Sequence, residues 1–294
     1  LKEWSGLNRL AGADTGQLSQ AKNISMRELP ALVPSPLAGI NAAVSGHPVV
    51  DLPGFPSIAP VSLFCVGEDV IEIFRFDRFL TIDYYNSETR TTKSAVLKDN
   101  ANMTDEYPRT LVCFNEYSDP SDPLGETYSK KLLLFPDKVA FDYRPTIFTL
   151  TPIGSQMPDI KYAAVHNSRI FGVSGDKIYA SGEGSYLNWT FDTPEDTESS
   201  NAWSAALQPS DSYIGGYTGI TVYDGNVLCM RGASAQQLMN GKNPFRVTDI
   251  GSFGALSERA YAQVGGRLYI VGRHDVAEYD GGRPEYIGDV LGIK

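Results

Sequence analysis

The sequence predicts an all-β protein, and three observations support that fold class. The chain of 294 residues contains 16 Tyr, 13 Phe, 28 Gly and 18 Pro, a mixture that favours strands joined by turns. No long stretch carries apolar residues at the i, i+3, i+4, i+7 spacing of an amphipathic helix. A unit of two short apolar runs around a turn, as in residues 169–181, recurs along the chain.

Residues 1–60 are predicted to form an extended N-terminal arm. Seven prolines fall between Pro30 and Pro60. Proline lacks a backbone N–H and restricts the residue before it, so neither helix nor central strand is expected here. Apolar residues such as Leu37, Val50 and Phe55 favour packing of this arm on a larger body, and a flexible linker is the alternative.

Residues 61–294 are predicted to form the body, because the two-run unit recurs throughout them. Its copies occupy residues 62–74, 131–143, 169–181, 220–232 and 267–281. The copy at 220–232 contains Asp224-Gly225-Asn226, a strong hairpin signal. The last four copies begin roughly 40 to 50 residues apart, a spacing typical of one propeller blade.

The spacing predicts a β-propeller of about five or six blades. The gap at residues 74–131 holds strand patterns at 78–86 and 110–114, and we interpret it as one irregular blade with an insertion. The best candidates for short helices are residues 203–207 and 256–262. A β-sandwich is the alternative fold, and a body of this size would then form two domains.

The end of the sequence leaves two alternatives for how such a propeller closes. After residues 267–281 no further closing strand is evident. Either the chain is a fragment, or the arm of residues 1–60 completes the ring.

The charge balance argues against general nucleic-acid binding. The net charge is −10, the pI is about 4.8, and no cluster of Lys and Arg stands out. Solubility is the simplest explanation of the acidity. An acidic protein also stays beside DNA without adhering to it, because like charges repel.

The three cysteines predict neither a zinc site nor a disulfide scaffold. Cys65, Cys113 and Cys229 each lie in an apolar run, and their spacing fits no zinc motif. We expect buried free thiols in a chain folded in a reducing cytoplasm.

The sequence contains no catalytic motif, so no catalytic, cofactor-binding or metal-binding residue is predicted. His47, His166 and His274 are far apart, and a metal site would need further ligands. Carboxylates gather at residues 119–126, where calcium binding is less favoured than a solvated loop. Those carboxylates are Asp119, Asp122 and Glu126.

Aromatic residues offer a possible sugar site, although in a propeller such residues more often fill the space between blades. The candidates are Tyr84, Tyr85, Tyr186, Trp189, Tyr213 and Tyr217.

Residues 4–36 resemble the opening of a group of bacteriophage and prophage virion proteins. The shared pattern is Gly6-Leu7-Asn8, Gly16-Gln17-Leu18, Asn23 and a Pro-x-Leu-x-Pro turn at 30–34. Ser35 and Pro36 stand where the family often has an Arg. A second match is Asn167-x-Arg169, then Tyr179-Ala180-Ser181 and Asn188-Trp189. The order of these segments along most of the chain carries the resemblance.

The resemblance implies a non-enzymatic structural protein of the phage tail or neck, of the hub, nozzle or packaged-DNA stabilization type. It further implies a β-propeller in a cyclic homo-oligomer that contacts portal, adaptor or other tail proteins. DNA would pass along its channel without tight binding. No cofactor and no membrane are expected, and the location would be the virion, assembled in the cytoplasm of the bacterial host.

Two further functions remain open from the sequence. One is a carbohydrate-binding or glycan-hydrolysing propeller, which needs an exposed aromatic patch or a cluster of acids. The other is a bacterial scaffold propeller that recruits proteins.

Overall fold

A computed structural model provides the structure of the protein for most of residues 62–287. Between residues 1 and 61 it describes only four two-residue strands. The remaining described ranges are 62–76, 79–98, 108–117, 128–191, 201–206, 215–232, 235–239, 245–272 and 276–287. Every regular element in these residues is a β-strand, which confirms the all-β fold class.

The predicted arm contributes four short strands to the described residues. They are β1 (Gly6–Leu7), β2 (Gln17–Leu18), β3 (Ile24–Ser25) and β4 (Val33–Pro34). Strands β1 and β2 pair in parallel, and β3 pairs with β4 antiparallel. The rest of residues 1–60, and so the predicted packing of the arm, lies outside the described residues.

The body consists of five four-stranded sheets in the described residues, here numbered in chain order. Sheet 1 comprises β5 (Ser62–Val66), β6 (Asp69–Phe76), β7 (Phe79–Asn86) and β8 (Thr91–Lys98). Sheet 2 comprises β9 (Thr110–Tyr117), β10 (Tyr128–Phe135), β11 (Val139–Asp142) and β12 (Thr151–Pro152).

The three later sheets follow the same plan. Sheet 3 comprises β13 (Tyr162–His166), β14 (Arg169–Ser174), β15 (Lys177–Ala180) and β16 (Trp203–Ala206). Sheet 4 comprises β17 (Gly219–Tyr223), β18 (Asn226–Met230), β19 (Ala235–Met239) and β20 (Arg246–Gly251). Sheet 5 comprises β21 (Tyr261–Val264), β22 (Arg267–Val271), β23 (Val276–Tyr279) and β24 (Glu285–Tyr286).

Within each sheet, consecutive strands are neighbours and run antiparallel. The hairpin turn predicted at Asp224-Gly225 joins β17 to β18, and both residues have positive φ, 47° and 70°. Positive φ at both central residues is what a tight turn between twisted strands requires. Asn167 and Ser168 adopt the same conformation, with φ of 44° and 55°, between β13 and β14.

Two predictions about elements were wrong. Residues 203–206, considered as a short helix, form the edge strand β16, and residues 256–260 form turns that lead into β21. The gap at 74–131 is not one irregular blade. It holds the second half of sheet 1 and the first strand of sheet 2. The recurring unit supplies the first two strands in sheets 1 and 4 but the middle pair in sheets 2, 3 and 5, which explains its uneven spacing.

The five sheets stack in chain order, and each interior sheet buries both faces. In β10, Leu132 and Leu134 pack against sheet 1, whereas Leu133 and Phe135 pack against sheet 3. Side chains alternate between the two faces of a strand, so one short apolar run serves two cores. Four clusters of buried residues therefore join sheet 1 to 2, 2 to 3, 3 to 4 and 4 to 5.

The cysteines only partly follow their prediction. All three are free thiols, and Cys229 is buried between sheets 3 and 4. Cys113 is half-buried, whereas Cys65 is exposed. In β5, Phe64 and Val66 pack towards sheet 2, so Cys65 between them points to the opposite face.

Candidate functional site

The structure places few of the sequence's candidate chemical groups together. His166 lies half-buried at the end of β13, while His47, His274 and the acidic residues 119–126 lie outside the described residues. Within the described part of the chain, no group of three or more His, Cys, Asp and Glu side chains could hold a metal ion.

Most of the aromatic candidates lie in the cores between sheets. Tyr84 is in the cluster between sheets 1 and 2, Tyr186 and Trp189 are between sheets 2 and 3, and Tyr217 is between sheets 3 and 4. Tyr85 is half-buried, and Tyr213 is outside the described residues. The four core residues are enclosed by neighbouring sheets and offer no open stacking surface for a sugar ring.

The motif at residues 167–189 forms a structural corner of sheet 3. Arg169 is almost fully buried, and its Nη1 donates to the carbonyl oxygens of Ser181 and Asn201, both at 2.7 Å. Its guanidinium also lies 5.6 Å from the ring centre of Phe245, within range of a cation–π contact. Phe245 belongs to the cluster between sheets 3 and 4. Arg169 therefore ties the connection after β15 to the body.

The second half of this motif closes the same corner. Ser181 Oγ accepts from the backbone N–H of Ile170 at 2.9 Å and donates to the carbonyl of Gly182. The N–H of Gly182 donates to the carbonyl of Asn188 at 2.7 Å. A Cβ on Gly182 would lie 2.3 Å from the Asn188 side chain, so only glycine fits. The polar residues of this motif thus have structural roles.

Asp69 is the centre of a dense group of polar contacts. Its carboxylate is fully buried and accepts from Tyr84 Oη at 2.7 Å, from Ser87 N and Oγ at 2.9 and 2.7 Å, and from Arg144 Nε at 2.8 Å. Arg144 lies beyond β11, so this centre joins sheet 1 to sheet 2. Arg144 also bonds Glu88 at 2.5 Å.

Electrostatics keep this centre charged. Burial by itself raises the pKa of Asp69, but hydrogen bonds from Arg144, Ser87 and Tyr84 together hold that pKa well below its usual range. Burial and donation to Asp69 raise the pKa of Tyr84, so its hydroxyl stays protonated. An always-ionised carboxylate and an always-protonated phenol suit a fixed contact rather than proton transfer.

A second buried ion pair lies in sheet 2. Arg109 Nε is 2.7 Å from Asp137 Oδ2, and both side chains are almost completely buried. Burial raises the pKa of Asp137, and the positive charge of Arg109 opposes that rise. The pair fixes the turn between β10 and β11 to the residue preceding β9.

Glu258 is a titratable group that belongs to neither of these ion pairs. Its Oε2 accepts from the N–H of Ile220 at 3.2 Å, and Tyr261 Oη donates to the carbonyl of Ile220 at 2.9 Å. A Cβ on Gly219 would lie 2.7 Å from Glu258 Oε2, so this glycine makes room for the carboxyl. Burial raises the pKa of Glu258 to about 8. No sequence motif marks this group, because Glu258 and its partner Ile220 are 38 residues apart.

Exposed apolar side chains lie on the strands at both ends of the stack. The outward face of sheet 1 carries exposed Leu63, Phe79 and Val96. The outward face of sheet 5 carries exposed Val264 and Val271. Charged side chains lie between these residues, namely Glu72 and Asp83 on sheet 1 and Arg267 and Glu278 on sheet 5, so both faces are mixed rather than apolar.

No protein-family model and no curated protein matches this chain. None of the described elements is a helix with the length and apolar character needed to cross a membrane.

Proposed function

We propose that this chain is a non-enzymatic structural protein of a bacteriophage virion, a β-propeller component of the tail or neck. The observation that carries the proposal is the ordered stack of five four-stranded meanders, each interior member packed on both sides. A propeller is built from consecutive four-stranded meanders of this kind. The sequence resemblance to phage tail proteins supplies the biological setting.

The neighbours of the first strands support a propeller over a flat stack. Strand β13 lies against both β9 and β17, the first strands of the sheets on either side. In a propeller, the first strand of each blade lies nearest the axis, so first strands of adjacent blades are close together. Five or six such blades would surround the axis of the propeller.

The proposed role is to build part of the DNA exit channel and to join the portal or adaptor to later tail proteins. A net charge of −10 suits a wall that DNA passes without adhering. The buried charged residues support a structural role, since Asp69, Arg109 and Arg169 each bond to residues of the fold. A cyclic homo-oligomer follows from the position of a tail ring on the axis of a virion.

Mass spectrometry of purified virions from the phage or prophage that encodes the chain tests this role. We expect peptides of this chain in a fixed multiple of the portal protein. Virions that lack the chain would overturn the proposal.

Light scattering on the chain with and without residues 1–60 tests the role of the arm. We expect an assembly that is lost on deletion.

Screening of the same samples on a glycan array addresses the alternative function, and cleavage of a bound glycan would contradict the non-enzymatic role.

A further inference from the structure

The contact between sheets 4 and 5 includes a polar group at the free edge of sheet 4. Strand β17 has a neighbouring strand on one side only, so part of its backbone faces away from the sheet. On that side, the N–H and the carbonyl of Ile220 are both bonded by side chains from outside sheet 4. These side chains are Glu258, in the turn that precedes β21, and Tyr261, the first residue of β21.

The hydrogen bonds of this group are complete only if Glu258 carries a proton. Tyr261 Oη donates to the carbonyl oxygen of Ile220 at 2.9 Å, and a phenol has one hydrogen to give. The same hydroxyl is hydrogen-bonded to the Glu258 side chain, so in that contact Tyr261 accepts and Glu258 donates. A carboxyl donates only in its protonated form. An ionised Glu258 would compete with the Ile220 carbonyl for the single hydrogen of Tyr261, and one of these two acceptors would lose its donor.

The surroundings of Glu258 also favour its neutral form. A Cβ on Gly219 would lie 2.7 Å from Glu258 Oε2, so the carboxyl lies directly against the backbone of β17. Burial there raises the pKa of Glu258 to about 8, and no positive charge among the described residues opposes that rise. Strand β21 presents Tyr261 to the carboxyl, and β18 presents the thiol of Cys229 to Tyr261. The other charged residue of this connection, Arg259, is exposed.

Further contacts join the same two sheets without using the proton of Glu258. Tyr223 Oη donates to the carbonyl of Gly266 at 2.7 Å, and Thr218 Oγ1 donates to the carbonyl of Ala255 at 2.6 Å. A cluster of buried apolar side chains also lies between the sheets. Loss of the bonds to Glu258 therefore leaves sheet 5 attached to sheet 4.

We propose that Glu258 is a proton-controlled latch between sheets 4 and 5. In the closed form its carboxyl donates to Tyr261 Oη, which donates to the carbonyl of Ile220, and the Ile220 N–H donates back to Glu258 Oε2. Loss of the proton opens this ring of bonds at the edge of β17, while the other contacts keep the two sheets together. This change of state is built into the fold and does not depend on the proposed virion role.

Infrared difference spectroscopy tests whether Glu258 is protonated in the folded protein. Wild type and Glu258→Gln are compared from about pH 6 upwards, where ordinary carboxyls are ionised. We expect the C=O stretch of a neutral carboxyl in the wild type, its absence in the variant, and its disappearance as the pH rises through about 8. A wild-type protein without this band at about pH 6 would have an ionised Glu258, which overturns the proposal.

Hydrogen-exchange mass spectrometry on peptides that contain Ile220 tests the latch itself. The pKa of Glu258 is raised in the closed form, so opening becomes easier as the pH rises. We expect the protection of the Ile220 amide, corrected for the intrinsic exchange rate, to fall at least about 10-fold between about pH 6 and pH 9. Far-ultraviolet circular dichroism should stay constant over this range. Unchanged protection of Ile220, or a loss of β-structure along with it, would contradict a latch.

Two variants with one carboxyl removed from each make the test specific. Glu258→Gln should abolish the fall in protection, because an amide donates and accepts at every pH. Glu278→Gln is the matched control, since it removes another carboxyl near β21, one that is bonded to Arg267 on the outward face of sheet 5. That control should keep the fall of the wild type. An equal fall in Glu258→Gln, or its loss in Glu278→Gln, would show that another group controls the contact. The wild type and Glu278→Gln decide the question even if Glu258→Gln does not fold.

Discussion

At the scale of single residues, polar groups in this protein act as ties between neighbouring sheets. Asp69 accepts from three residues, of which Arg144 belongs to the next sheet's connection. Arg144 has a φ of 51°, a left-handed conformation that side chains other than glycine adopt only when other contacts stabilise it. The bonds to Asp69 and Glu88 provide those contacts.

We expect Asp69→Ala to lower the free energy of unfolding by about 3 kcal/mol, because it removes the acceptor from a buried group of donors. Urea unfolding followed by tryptophan fluorescence measures the loss. Asp142→Ala is the matched control, since it breaks the ion pair with Lys131 at 2.6 Å on the surface. That control should lose no more than about 1 kcal/mol, and equal losses in the two variants would contradict the assigned role.

Glu258 predicts an unusual dependence of stability on pH. Its pKa is raised from 4.5 to about 8 in the folded protein, so the folded state holds a proton that the unfolded state releases. The resulting stabilisation is complete below pH 4.5 and is lost as the pH rises through about 8. The groups beside it are Tyr261 and, through Tyr261, Cys229, and neither carries charge at neutral pH.

Melting temperatures of wild type and Glu258→Gln, measured between about pH 5 and pH 9, test this dependence. The wild-type protein should lose more stability over this range than the variant, whose amide does not ionise. Parallel curves for the two proteins would show that Glu258 does not titrate as described.

At the scale of elements, the close packing around the interior strand β14 leaves no room for a side chain at one of its positions. In sheet 3, Gly172 lies directly beneath Ile160, and a Cβ there would come within 2.5 Å of Ile160 Cγ2. Gly172 lacks a positive φ, so its role is to leave space rather than to allow a special backbone conformation.

We expect Gly172→Ala to destabilise the protein by about 1–3 kcal/mol through overpacking. Gly154→Ala is a suitable control, because the nearest atom to a Cβ there would be 4.0 Å away and its φ is not positive. That control should be neutral or slightly stabilising. Chemical denaturation of both variants gives the comparison, and a neutral Gly172→Ala would mean that Ile160 moves aside freely.

The sequence predicted the strongly apolar hairpins and missed the weak edge strands. The unit at residues 220–232 was recognised because apolar runs flank Asp224-Gly225. The sequence of β16, Trp-Ser-Ala-Ala, has no strand pattern and favours a short helix, and only its pairing to β15 defines it as a strand. An edge strand buries few side chains, so its sequence shows little of the alternation of apolar and polar residues from which strands are predicted.

The polar centres were beyond sequence prediction for a different reason. Asp69 and Arg144 are 75 residues apart, and only the stacking of sheet 2 on sheet 1 brings them together. The aromatic residues at positions 84, 186, 189 and 217 were identified as either sugar ligands or interblade filling, and the structure places them in the cores. The sequence shows which residues are aromatic, but it does not show on which face of a sheet each side chain lies.

At the scale of the whole molecule, net charge decides the behaviour towards DNA. With a charge of −10, the protein lacks the counterion release that drives binding to phosphates. We therefore expect no measurable binding of duplex DNA at about 150 mM salt. Fluorescence anisotropy with a labelled duplex tests this, and binding that weakens steeply with added salt would count against the proposed channel wall.

The serial packing of the sheets also determines how the molecule loses its structure. Each core cluster in the described residues joins only consecutive sheets, so stability resembles a sum of nearest-neighbour terms along a line. Sheet 3 has neighbours on both sides, whereas sheets 1 and 5 have one each. Amide hydrogen exchange should therefore be slowest in β14 and faster towards both ends. A molecule of this kind opens first at sheets 1 and 5, and the middle of the chain is the last part to lose its structure.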